Sequence, residues 1–319
     1  MSLFANAMLV AVGLALLFAG GELLVRGAVS TARRLGVSEL VIGLTIVGFG
    51  TSMPEMLVSV EAAFKGSPEI ALGNVVGSNI ANILLIVGCA ALVMPLSGWD
   101  RSVRRDVRVM LGASVLLFVV AACGVLPRWT GAGFLVLLGI YLYAHYRASR
   151  VAMKEHRENA SSETPDQDTS IALSIGLILG GFVLLFAGAN WLIDGAVAIA
   201  RIFGISEAVI GLTIVAVGTS LPELTTSVVA AWRGQAAVAL GNVVGSNIFN
   251  VLSILGVTAL IKPLPIAERF LWFDIPFMLA ISIVFAGMLV TRNRFGRFGA
   301  AIMLAVYAGY TVYLYIAPA

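Results

Sequence analysis

Apolar residues run along this chain in long blocks parted by short polar clusters, without the alternation of a half-buried strand. At about 20 apolar residues per bilayer crossing, the blocks predict helices near residues 4–25, 37–64, 69–96, 107–125, 129–147, 171–193, 205–232, 237–261, 271–291 and 297–316. The chain therefore reads as an all-α polytopic membrane protein with about ten transmembrane helices. The first block has no basic segment before it and continues to about Leu24, so it is read as a retained helix rather than a signal peptide. Composition agrees: 60% of the 319 residues are hydrophobic and 12% charged, against roughly a quarter charged in a soluble domain. Cys89 and Cys123 both lie in apolar stretches and offer no disulfide framework.

Charge orients the blocks. Placing Lys and Arg on alternate sides puts fifteen on one face, among them Arg26, Arg33, Arg34, Arg101, Arg104, Arg105, Arg108, Arg233, Arg292, Arg294 and Arg297. The other face holds five, Lys65, Arg128, Arg201, Lys262 and Arg269. The richer face is assigned to the cytoplasm, which leaves both termini outside the cell (inner or plasma) membrane. These basic residues sit at the ends of apolar blocks, so topology explains them and no nucleic-acid partner is expected. The polar run from Arg147 to Ser170 is mixed in charge and lacks apolar periodicity. It reads as a flexible cytoplasmic linker, 148–170, between two domains, 1–147 and 171–319.

An internal repeat sets the plan. Shifted by 168 residues, GVSELVIGLTIVGFGTSMPE (36–55) lies on GISEAVIGLTIVAVGTSLPE (204–223), and ALGNVVGSNIANILLIVG (71–88) lies on ALGNVVGSNIFNVLSILG (239–256). Self-similarity of this extent marks a duplicated unit. Five spans per half make the second copy enter from the opposite face, giving two inverted five-helix repeats with broken helices and a site near the midplane.

The chemistry lies inside the repeat. Glu55 and Glu223 fall within apolar blocks, and an acid at the bilayer centre costs about 2.5 to 3.5 kcal/mol on insertion scales. No Lys or Arg lies at equivalent depth, so the available counter-charge is a mobile cation or a proton. Pro54 and Pro222 precede the acids and break the helix, freeing carbonyls at Gly50 and Gly218. Thr51, Ser52, Thr219 and Ser220 add hydroxyls within about one turn. Ser78 and Asn82, with Ser246 and Asn250, add neutral oxygens at i, i+4 spacing. Hard oxygen donors of this kind suit Ca2+ and Na+. Gly73, Gly77, Gly241 and Gly245 form GxxxG pairs for close helix packing. Asn74, Asn79, Asn242 and Asn247 are left outside the ligand set, as makers of interhelical hydrogen bonds. Glu39 and Glu207 follow Ser38 and Ser206 and read as acids in a capped first turn. Glu22, Glu61 and Asp194 lack a repeat-equivalent acid and read as structural or interfacial, while the two histidines give no metal signal.

Two copies of GTSxPE, each followed by GNVVGSNIxN, resemble the alpha repeats of sodium/calcium exchangers in the cation/calcium exchanger superfamily. The likeness covers most of the chain and is that of a compact prokaryotic member without large cytoplasmic calcium-sensing domains. It implies ten helices, extracellular termini and four cation sites in a central diamond. Carried over by motif position, the ligands are Thr51, Ser52, Glu55, Ser78 and Asn82 with Thr219, Ser220, Glu223, Ser246 and Asn250, joined by the carbonyls of Gly48 and Ala216. Potassium-dependent relatives carry Asp where this chain has Asn82 or Asn250, so potassium transport is not expected.

The expectation is an electrogenic Na+/Ca2+ antiporter working by alternating access, without cofactor or obligate protein partner. The first and sixth helices, rich in Gly around Gly20, Gly21, Gly180, Gly181 and Gly188, are candidates for the moving pair. Ca2+/H+ antiport through the same glutamates is the alternative, with a passive channel or a non-transporting scaffold behind it. An enzyme is not expected, because no nucleophile, base and orienting group recur together.

Overall fold

The computed structural model describes residues 2–35, 37–97, 101–159, 170–204, 216–291 and 294–316. It is almost entirely helical. In chain order the helices are α1 (Leu3–Leu35), α2 (Glu39–Thr51), α3 (Met53–Phe64), α4 (Pro68–Val93), α5 (Arg101–Ala121) and α6 (Arg128–Asn159). The second half supplies α7 (Ile171–Ile202), α8 (Ala216–Thr219), α9 (Leu221–Trp232), α10 (Ala236–Ile261), α11 (Phe270–Thr291) and α12 (Arg297–Ile316).

Helices α1, α4, α7, α10, α11 and most of α12 are long and apolar enough to cross a membrane, and the bent pair α2–α3 makes a seventh. Helix α5 spends its first turns on Arg101, Arg104, Arg105, Asp106 and Arg108, and α6 turns polar from His145 onward, which lowers the apolar content of both. The predicted span 205–232 falls partly on 205–215, outside the described residues. Several boundaries move outward, α7 running to Ile202 instead of 193 and α5 starting at Arg101 instead of 107. Helix α1 runs past 25 to Leu35, where Arg26 pairs with Glu22 at 2.6 Å one turn back, so the basic end continues the helix instead of ending it. Helix α6 continues to Asn159 through the start of the segment read as linker.

Four short strands tie the halves together. β1 (Leu96–Ser97) pairs with β4 (Arg294–Phe295), and β2 (Val125–Leu126) pairs with β3 (Leu264–Pro265), both antiparallel. Leu96 and Leu264 are repeat equivalents, so each strand pairs with the partner its equivalent lacks. The two halves therefore clasp each other at both ends. The same exchange relates Arg297, whose Nε donates to Leu92 O at 3.0 Å, to Arg128, whose Nε donates to Leu260 O at 3.2 Å.

Helices α1 and α7 form a separate antiparallel pair spaced by glycines every seven residues. A Cβ on Gly13 would meet Leu192 N at 2.7 Å, one on Gly20 would meet Leu185 N at 2.7 Å, and one on Gly27 would meet Ser174 O at 2.9 Å. Gly181, Gly188 and Gly195 are pressed in the same way against Leu24, Leu17 and Asn6. Backbones this close leave no room for any side chain.

At the rims, buried Asp106 on α5 accepts from the ring of His145 on α6 at 3.1 Å, and its repeat equivalent Asp274 accepts from Tyr310 Oη at 3.0 Å. His145 is thus part of an α5–α6 contact. Ser38 holds the N-cap position of α2, yet its side chain makes no capping bond. Ser206 and Glu207 lie outside the described residues.

Candidate cation site

Pro54 and Pro222 stand in the first turns of α3 and α9, where a missing N–H costs nothing. The break falls one step earlier, at Ser52 (φ −81°, ψ 5°) and Ser220 (φ −92°, ψ 9°). It bends α2 from α3 by 41°. Both serines leave the helical well, and each carries its hydroxyl across to the other half. Ser52 Oγ donates to Glu223 Oε1 at 3.2 Å, and Ser220 Oγ donates to Glu55 Oε1 at 3.1 Å.

The second motif closes over the first. Asn74 Nδ2 donates to Glu55 O and to Ser59 Oγ, both at 2.9 Å, and Asn242 Nδ2 donates to Glu223 O at 3.2 Å and Ser227 Oγ at 2.9 Å. These amides hold the backbone of each acid in place. Thr51 Oγ1 lies 3.0 Å from Val47 O and 3.1 Å from Asn242 Oδ1, a further contact between halves. Ser246 Oγ donates to Gly48 O at 3.3 Å. Gly241 and Gly245 bring α10 against the backbone of α2 at Leu40 and Leu44, as close packing requires. Gly73 meets the Phe270 ring, and the repeat counterparts of Leu40 and Leu44, residues 208 and 212, lie outside the described residues.

Asn82 and Asn250 each open a one-turn π-helix, Asn82–Ile86 in α4 and Asn250–Ile254 in α10. An inserted residue of this kind rotates the helix face by part of a turn and recurs at functional sites. A third π turn, Gly43–Val47, stands just before Gly48. Nothing in the hydrophobic pattern announces these turns.

Glu55, Glu223, Thr51, Ser52, Ser220, Ser78, Ser246, Asn82 and Asn250 are all buried. Thr219 ends α8, half-buried, and Ala216 begins it. Four buried oxygens in this cluster have no hydrogen-bond partner among the described residues, Glu55 Oε2, Glu223 Oε2, Asn82 Oδ1 and Asn250 Oδ1. A buried acceptor left unpaired costs about 1 to 3 kcal/mol, and more when charged. Four of them, two from each half and at equivalent positions, are what a dehydrated cation replaces its water shell with. Among the described residues no group of three or more His, Cys, Asp and Glu gathers. The donors here are therefore two carboxylates among neutral oxygens, a set suited to hard cations and not to a soft transition metal.

The profile of the sodium/calcium exchanger protein family matches residues 5–147 and 173–316, one stretch in each half. The chain belongs to the sodium/calcium exchanger family. This exchanger is 35% identical over 344 residues to sodium/calcium exchanger MaX1 of Methanosarcina acetivorans, covering 97% of this chain and 98% of that protein. It is 36% identical over 318 residues to the inner membrane protein YrbG of Escherichia coli, covering 98% and 96%. Among solved structures it is similar to the sodium-calcium exchanger NCX_Mj soaked with Na+ and Sr2+, with a TM-score of 0.84 and 30% identity over the whole of both chains. The same exchanger soaked without Na+ and Ca2+ also gives 0.84, at 32% identity over 98% of this chain and 100% of that one. The exchanger is a membrane-embedded cation/calcium antiporter and not an enzyme.

Proposed function

We propose that the exchanger moves Na+ and Ca2+ in opposite directions through one shared site built from Glu55, Glu223, Thr51, Ser52, Thr219, Ser220, Ser78, Ser246, Asn82 and Asn250, with the carbonyls of Gly48 and Ala216. The observation that carries the reading is the set of four buried oxygens on Glu55, Glu223, Asn82 and Asn250 that have no partner among the described residues. Two carboxylates neutralise one Ca2+ or two Na+. Exchange of more than two Na+ for each Ca2+ therefore moves net charge, and transport is electrogenic.

In this reading ten spans form two inverted five-helix repeats in the cell membrane, with both termini outside. The strand pairs support it. β1 and β4 flank loops rich in Arg, whereas β2 and β3 flank the loops holding Arg128 and Lys262, so like-sided loops meet each other.

The α1–α7 pair moves and the site stays. Its own packing obeys the pseudo-two-fold that relates the halves, but its seat does not. Phe182 covers Gly50 and Ile193 covers Gly218, both from α7. A symmetric seat would set Leu14 of α1 on Gly218. One seat of two equivalent ones is occupied, and sliding the glycine-spaced pair to the other would open the site to the opposite side. Competition of Na+ and Ca2+ for the same oxygens couples the two fluxes.

The test is calcium uptake into sodium-loaded liposomes diluted into sodium-free buffer, for wild type, Glu55→Gln and Glu223→Gln. Uptake that needs the sodium gradient, responds to an imposed membrane potential and is lost in both variants is expected. Uptake driven equally by a proton gradient without sodium would replace this reading with Ca2+/H+ antiport.

A further inference from the structure

An asparagine serves a cation only when its amide faces the right way, because one end is an oxygen and the other an NH2 that a cation repels. Asn82 and Asn250 both face the right way, and the structure contains a device that holds them so. Asn250 Nδ2 donates to Asn79 Oδ1 at 3.0 Å, and Asn82 Nδ2 donates to Asn247 Oδ1 at 3.3 Å. Asn79 and Asn247 are oriented in turn. Asn79 Nδ2 donates to Met278 Sδ at 3.7 Å and Asn247 Nδ2 donates to Met110 Sδ at 3.5 Å.

A thioether sulfur can only accept. Met278 therefore draws the NH2 of Asn79 toward α11 and leaves its oxygen for Asn250. Asn250 then spends its NH2 on Asn79 and is left with a buried oxygen that has no partner among the described residues. Met110 on α5 does the same for Asn247 and Asn82. Every bond in the two relays points one way, and each relay passes between the halves twice, since Met278 and Asn250 belong to the second and Asn79 to the first.

We propose that Asn79 and Asn247 are positioning residues that set cation affinity by locking the amides of Asn250 and Asn82 oxygen-inward, with Met278 and Met110 fixing the direction of each relay. This rests on the cation-site reading above. It assigns a task to two residues outside the proposed ligand set, whose Oδ1 atoms accept from the proposed ligand amides. It also explains why a site with asparagine where a carboxylate would fit needs these neighbours: a carboxylate presents oxygen whichever way it turns, an amide does not.

The experiment measures the KM for calcium and the maximal rate of sodium-driven uptake in wild type and Asn79→Leu, each also in the Asn250→Asp background. Losing the lock raises KM by about three- to tenfold with the maximal rate retained, the worth of one neutral hydrogen bond. In the Asn250→Asp background, where both ends of residue 250 are oxygen, the same substitution does not raise KM. Met278→Leu, close in volume and mild in a packed core, is the second variant should Asn79→Leu not fold, and it raises KM in the same direction by a smaller factor. Unchanged KM in both variants, or an equal rise in the Asn250→Asp background, would overturn the inference while leaving the cation site standing. Absence of sodium-driven calcium uptake by the wild type would overturn the cation-site reading, and this one with it.

Discussion

Ser52 in the first half donates to Glu223 in the second, and the bond is returned by Ser220 to Glu55. Neither half builds its carboxylate environment alone. The kink at each serine is thus a device for reaching across the pseudo-two-fold, and coupling should follow the crossed pairs. A double-mutant cycle of Ser52→Ala with Glu223→Gln on calcium binding to purified protein should give an interaction of about 1 to 3 kcal/mol. The same-half cycle of Ser52→Ala with Glu55→Gln should give less. Stronger coupling within a half would show that the crossed bonds do not set the site.

The two acids occupy equivalent places, so their loss should be equivalent. Glu55→Gln and Glu223→Gln should each weaken calcium binding at least tenfold, since a buried bond to a charged group contributes about 1.5 to 3 kcal/mol. Calorimetric titration of both variants checks this. One variant binding like wild type would mean that a single half holds the ion.

Most of this candidate site was legible in the sequence because its polar groups stand in apolar surroundings and occur twice. Glu55 and Glu223 cannot be excused as surface residues, and the repeat ties Ser78, Asn82, Ser246 and Asn250 to them. What stayed hidden depends on register in three dimensions. The π turns at Asn82 and Asn250 arise from one extra residue within a continuous apolar run, which leaves no mark on periodicity. Asn79 and Asn247 repeat as faithfully as the proposed ligands Asn82 and Asn250, three residues before them, but only the orientation of their amides separates positioning from packing. The helix ends at Leu35 and Asn159 were missed because basic residues at a membrane boundary were read as an end, when a helix can run on into water.

The α1–α7 glycines make a sharper prediction about packing. A Cβ on Gly20 would lie 2.7 Å from Leu185 N and 2.9 Å from Gly181 O, and backbone atoms cannot step aside. Gly20→Ala should therefore force the helices apart, at about 1 to 3 kcal/mol for an overpacked contact, and lower thermal stability and uptake together. Gly176→Ala, on α7 with nothing within 4 Å among the described residues, is the control. Equal tolerance of both would mean that the pair does not pack through its glycines.

Glu22 on α1 forms an ion pair with Arg233 at the end of α9, and with Arg26 on its own helix. The repeat equivalents of Glu22 and Arg233 are Asn190 and Lys65, and Lys65 bonds Glu61 on its own helix instead. An ionic tie between the α1–α7 pair and the core thus stands at one of two equivalent places, and in the proposed two-seat motion it would favour the seat seen here. Partly exposed pairs contribute up to about 1 kcal/mol, enough to shift a two-seat equilibrium by roughly fivefold. Arg233→Gln should therefore lower the KM for calcium on one side of oriented vesicles and raise it on the other. Glu22→Gln should do the same, and the double substitution should do no more than either alone, because one tie can be cut only once. Equal changes on both sides would mean that the pair holds the fold together without biasing the seat.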